Sequence, residues 1–86
     1  MKARRLPVAD RVERDGESVV LVDRQVVRLS TLATALLELC RDWATAPELA
    51  RGLLDRVGEP PDGVDPVVAT ESALATLRDQ GLVELG

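Results

Sequence analysis

The sequence predicts an α+β fold, winged-helix-like, with a three-stranded antiparallel N-terminal sheet followed by three α-helices. Three observations carry this reading. The β-type runs Val19-Val20-Leu21-Val22 and Gln25-Val26-Val27-Arg28-Leu29 are separated only by Asp23-Arg24. The second run passes through Ser30-Thr31 directly into apolar residues at helical spacing. Further on, Thr45-Ala46-Pro47-Glu48 and Asp65-Pro66 are two more helix starts, one a capping box and one an Asp cap before Pro.

Residues 1–7 are basic (Met1-Lys2-Ala3-Arg4-Arg5) with no apolar core behind them, and read as a loose, flexible lead-in. Residues 8–14 alternate weakly and predict an edge strand. Asp15-Gly16 is a hairpin turn signal, because Gly accepts a positive φ and Asp can bond its own backbone. Glu17–Val22 follows, its four consecutive apolar residues predicting burial on both faces. Asp23-Arg24 makes the second turn and Gln25–Leu29 is the third strand, which completes a meander.

Ser30 or Thr31 caps the first helix. Its buried stripe is Leu32, Leu36 and Leu39 or Cys40, widened by Ala33 and Leu37. The second helix starts at the capping box, carries Leu49, Leu53 and Leu54, and stops at Val57-Gly58. Residues 58–64, with Pro60-Pro61 and Asp62-Gly63, are a loop. The third helix begins at Asp65-Pro66 and ends before Gly81, a left-handed C′ residue. Leu82 then folds back on that helix.

Composition narrows the function. The 86 residues form one domain, and such a chain buries only about 60% of its unfolded surface, so the core is thin. Trp43 is the only aromatic residue, and the core is built of Leu, Val and Ala. Net charge is −4, which disfavours nucleic acid as a partner, since displacing counterions from phosphates requires clustered Lys and Arg. One Cys excludes an internal disulfide; Cys40 falls on an apolar helix face and reads as a buried structural thiol. Trp43 reads as a lid over the core. No run is long enough to span a bilayer and no signal peptide is visible, so the expected location is cytoplasmic. Zero His removes the usual acid–base group and the commonest metal ligand, and no phosphate-binding Gly loop is present. The chain is expected not to be an enzyme and to carry no cofactor and no metal.

Four stretches in order carry a family likeness: Val27-Arg28-Leu29; Ala35-Leu36-Leu37-Glu38-Leu39-Cys40-Arg41-Asp42; Thr45-Ala46-Pro47-Glu48-Leu49-Ala50-Arg51-Gly52-Leu53; and Leu74-Ala75-Thr76-Leu77-Arg78-Asp79-Gln80-Gly81-Leu82-Val83. The chain resembles the PqqD-like family over about residues 17–85. These are RiPP recognition elements, which bind leader peptides of ribosomally made, post-translationally modified precursors. The resemblance implies a peptide chaperone. A precursor leader peptide adds as a strand along Gln25, Val26, Val27, Arg28 and Leu29, lies against Val67, Thr70, Glu71, Leu74 and Arg78 of the third helix, and is handed to a modifying enzyme. That enzyme would be a leader peptidase, a cyclase or a radical-SAM enzyme, as in lasso-peptide or radical-SAM pathways of natural product biosynthesis. Main-chain bonds would supply the pairing and side-chain pockets the specificity. Glu71 and Arg78 are the candidates for polar side-chain contacts. The expected state is a monomer or a weak homodimer, with no membrane partner. Two alternatives remain: a winged-helix DNA-binding protein, which needs a basic recognition helix, and a small homodimeric adaptor whose Gln25–Leu29 edges pair across a two-fold axis.

Overall fold

The computed structural model describes residues 1–7, 10–14, 17–22 and 24–86. Its elements in chain order are β1 (Lys2–Arg5), β2 (Asp10–Arg14), β3 (Glu17–Val22), β4 (Gln25–Leu29), α1 (Thr31–Leu39), β5 (Ala44–Thr45), α2 (Ala46–Val57), α3 (Pro66–Asp79) and β6 (Val83–Leu85). The architecture is α+β, with three helices and two three-stranded antiparallel sheets among the described residues. The expected meander is present as the sheet β2-β3-β4. The expected turn at Asp15-Gly16, and Val8, Ala9 and Asp23, lie outside the described residues. Arg24 closes the β3–β4 turn in the left-handed region, at φ 66°.

The second sheet, ordered β5-β1-β6, corrects the reading of the N-terminus as a loose lead-in. Lys2–Arg5 is its central strand, pairing with β5 on one side and β6 on the other. Further main-chain bonds hold it: Arg5 N–H donates to the Cys40 carbonyl at 2.8 Å and Leu6 N–H to the Leu82 carbonyl at 2.8 Å. Ala3, fully buried between two charged neighbours, is the only core residue the strand supplies.

The helix signals act where the sequence places them. Ser30 Oγ accepts from the Ala33 N–H at 3.1 Å. Thr45 and Glu48 form the complete capping box. Asp65 accepts from the Val67 and Val68 N–H groups at 2.8 and 3.2 Å. Gly81, at φ 77°, ends α3 in a Schellman arrangement: its N–H reaches the Arg78 carbonyl and the Leu82 N–H reaches that of Leu77, both at 2.9 Å. Beyond Leu82 the chain forms β6 instead of only folding back.

One core lies between the sheets and helices, with Leu36, Leu74 and Leu82 fully buried at its centre beside Val20, Leu29 and Val83. Ser18 and Thr34 share a buried hydroxyl–hydroxyl bond of 2.7 Å that fixes β3 against α1. The expectation that Glu17–Val22 is buried on both faces is corrected. Val20 is buried, while Val19 and Leu21, on the other face, are only half-buried because nothing covers that side of the sheet among the described residues. No helix is long and apolar enough to cross a membrane among the described residues.

Candidate peptide-binding edge

β4 is an edge strand. It pairs with β3 on one side, and no described strand lies on the other. The residues nearest in kind to a covering strand, those of β1, belong to the second sheet.

The register determines which groups the edge exposes. Only two residues separate Val22 from Gln25, so that closing pair must be a hydrogen-bonded one. The alternation of an antiparallel ladder then makes Val20↔Val27 and Ser18↔Leu29 bonded pairs as well. Gln25, Val27 and Leu29 therefore turn their N–H and C=O groups inward to β3. Val26 and Arg28 turn theirs outward. Side chains follow the pleat: Leu29 is buried and Val27 half-buried against the core, whereas Val26 is 73% exposed and Arg28 is exposed.

The opposite edge of the same sheet, β2, is built differently. The same register argument, from Arg14↔Glu17, turns the peptide groups of Arg11 and Glu13 outward. Their side chains are ion-paired to each other, and Arg11 also reaches Glu38 of α1, with Nη2 to Oε1 at 3.0 Å. Glu38 in turn pairs with Arg56 of α2. Burial alone would raise the Glu38 pKa, but hydrogen bonds donated by the Arg56 and Arg11 guanidinium groups outweigh it and hold it below the ordinary value of 4.5. β2 thus carries two ion-paired charged residues at its outward positions, whereas the outward positions of β4 are Val26 and Arg28, one apolar and one charged.

The ten residues expected at the site do not all fall on one surface. The five of β4 form a continuous edge. On α3, Leu74 is fully buried and Thr70 nearly so, its hydroxyl donating to the Pro66 carbonyl at 2.8 Å. Val67 and Glu71 are half-buried, and Arg78 is exposed and paired with Asp79. α3 packs on α2 and β6, while α1 touches both β4 and α3 and so joins the two sets.

Sequence reasoning missed a concavity at the helix ends. It measures about 490 Å³ and lies between the first turn of α1, the last turns of α2, the following loop and the first turn of α3. Leu32 and Leu54 line it, at 40% and 38% exposed, although the helical spacing of Leu32 placed it in the buried stripe of α1. Of the expected site residues, Thr70 lines it.

Cys40 is fully buried, and burial pushes its thiol pKa up, as expected of a structural cysteine. Trp43 is not a lid over the core. It is 41% exposed and lies beside the second sheet, with the Arg4 guanidinium 5.2 Å and the Lys2 Nζ 5.9 Å from its ring centroid. Among the described residues no group of His, Cys, Asp or Glu is placed to hold a metal ion. Comparison with protein-family models, with curated proteins and with solved structures finds no match.

Proposed function

We propose that this winged-helix-like chain binds the leader peptide of a ribosomally synthesised precursor by strand addition to β4 and delivers it to a RiPP-modifying enzyme. One observation carries the reading: among the described residues no strand lies against the outward peptide groups of Val26 and Arg28, while the chain's own N-terminal strand is engaged elsewhere. An incoming extended segment can satisfy these two donors and two acceptors and place alternate side chains beside Val27 and Leu29. Ordering a flexible leader costs several kcal/mol, about 2–5, so affinity depends on a few apolar anchors. The DNA-binding alternative needs a basic recognition helix, and the charges of α2 (Arg51 and Arg56 against Glu48 and Asp55) cancel while those of α3 (Arg78 against Glu71 and Asp79) are net acidic.

The test is a titration of the full chain with synthetic leader segments taken from short reading frames beside its gene, followed by backbone amide shifts. Shifts centred on residues 25–29 are expected. Val26→Pro should weaken binding at least about tenfold while leaving the fold in place, because it removes an outward donor only. Val27→Pro would instead break the β3–β4 ladder. Binding that persists unchanged in a folded Val26→Pro variant, or mass that doubles with concentration through β4, would overturn the proposal.

A further inference from the structure

We propose that the groove between α1, α2 and α3 is a second docking site, which accepts an amphipathic helix from a partner protein, apolar on one face and basic at its flanks. This does not rest on the strand-addition reading: none of the β4 residues lines the groove, and Thr70 alone of the residues expected at the leader site does.

The first ground is the apolar floor. Leu32, Leu54, Val57 and Val64 line the groove and are 38–43% exposed. Two of them, Leu32 and Leu54, belong to helical stripes whose other members are in the core. They are thus apolar residues on regular elements that the chain's own folding leaves uncovered, gathered in one concavity of about 490 Å³, within the usual size of a binding site.

The second ground is the state of the backbone around it. Ser30 caps α1, Asp65 caps α3, and the Gly58 N–H closes α2 on the Leu54 carbonyl at 3.2 Å. The walls are helix ends and a loop, and unlike β4 they present no strand edge for an extended segment to pair with. An extended occupant would bury its own N–H and C=O groups without partners, at a cost that buried polar groups do not meet. A helix satisfies its backbone internally and needs only to present side chains.

The third ground is charge. From residue 55 to residue 65 the chain carries Asp55, Glu59, Asp62 and Asp65 against one base, Arg56, and Arg56 is paired with Glu38. Arg51, a turn earlier on α2, does not reverse the balance. Glu59 lines the groove and Asp55, Asp62 and Asp65 adjoin lining residues in sequence, and this acidic excess beside an apolar floor favours an apolar segment flanked by Lys or Arg. A second copy of this chain does not supply one. Neither α1, α2 nor α3 combines an apolar face with net positive charge, and the basic residues 2–5 are built into the second sheet.

The experiment uses the full chain and a labelled peptide of about 18 residues, Leu and Lys at helical spacing, with two twins: Lys replaced by Glu, and a Pro placed at the centre. Expected are saturable binding, a gain of peptide helicity, and amide shifts at residues 31–32, 53–58 and 64–70. The Glu and Pro twins should bind at least about tenfold more weakly. The double variant Leu54→Asn, Val57→Asn should lose binding by a similar factor with an unchanged amide spectrum elsewhere, and Leu54→Met should retain it if the double variant fails to fold. Shifts centred on residues 25–29, equal binding of either twin, full affinity in the folded double variant, or saturation of the groove by a small apolar dye that the Leu/Lys peptide does not displace would each overturn the proposal.

Discussion

β1 and β4 are short strands of the same chain with opposite exposure. Lys2-Ala3-Arg4-Arg5 looks like a poor strand, yet it lies between two partners. Gln25-Val26-Val27-Arg28-Leu29 looks like a good one, yet the peptide groups of two of its five residues have no described strand to meet. Availability for a visitor is thus set by topology and not by strand propensity. β1 becomes central because it connects segments about forty and eighty residues away in sequence, Ala44–Thr45 and Val83–Leu85, neither long enough to form a sheet alone.

The largest effect should come from opening the sealed strand. Ala3 is fully buried and paired on both sides, so Ala3→Pro removes a ladder donor where no solvent replaces it and forces a ring into the core. A loss of about 3 kcal/mol or more is expected in chemical denaturation. Trp43 emission should shift with it, since Lys2 and Arg4 of the same strand lie over its ring. The same substitution at Val26, on the open strand, should cost below about 1 kcal/mol of stability while abolishing leader binding. If the two prolines prove equally disruptive, β4 is not a free edge.

How far the sequence foretells this structure follows the same division. Local signals suffice where the structure is local. The two-residue gap between Val22 and Gln25, the Thr45–Glu48 box, the Asp65-Pro66 start and the Gly81 stop all act within a few residues, and each appears in the structure. The second sheet leaves almost no local trace, because its strands contribute Ala3, Ala44 and Val83 singly and exist only through long-range pairing. The candidate edge was legible as a strand and as the last of its meander. The groove was not. Leu32 has the spacing of a core residue, and periodicity along one helix does not show which of its apolar residues another element covers.

A narrower comparison sets β4 against β2, the two edges of one sheet. Arg24→Gly tests how firmly β4 is held. Arg24 is a non-Gly residue at φ 66°, and glycine takes that conformation without the clash of a Cβ. A gain of about 0.5 kcal/mol is expected, with leader affinity unchanged or slightly raised as the strand is better ordered. No gain would mean that the turn already accommodates the side chain without strain.

The smallest effect concerns the guard on β2. Glu38 ties Arg11 of β2 to Arg56 of α2, and its carboxyl is held below the ordinary value of 4.5. A carboxylate more acidic in the folded state than in the unfolded one stabilises the fold above the unfolded pKa, and that contribution disappears as pH falls through the folded pKa. Wild type should therefore exceed Glu38→Gln by about 0.5 kcal/mol at neutral pH, the scale of partly exposed ion pairs. The gap should begin to close as pH drops below 4.5 and vanish at lower pH, and high salt should narrow it at any pH. Paired denaturant titrations from pH 7 to pH 3 measure it. The reading also fixes what must not change: leader-induced shifts at residues 25–29 should be the same in Glu38→Gln, since the guard holds the other edge. A gap that widens on acidification, or binding at β4 that follows the Glu38 charge, would show that the two edges are not independent.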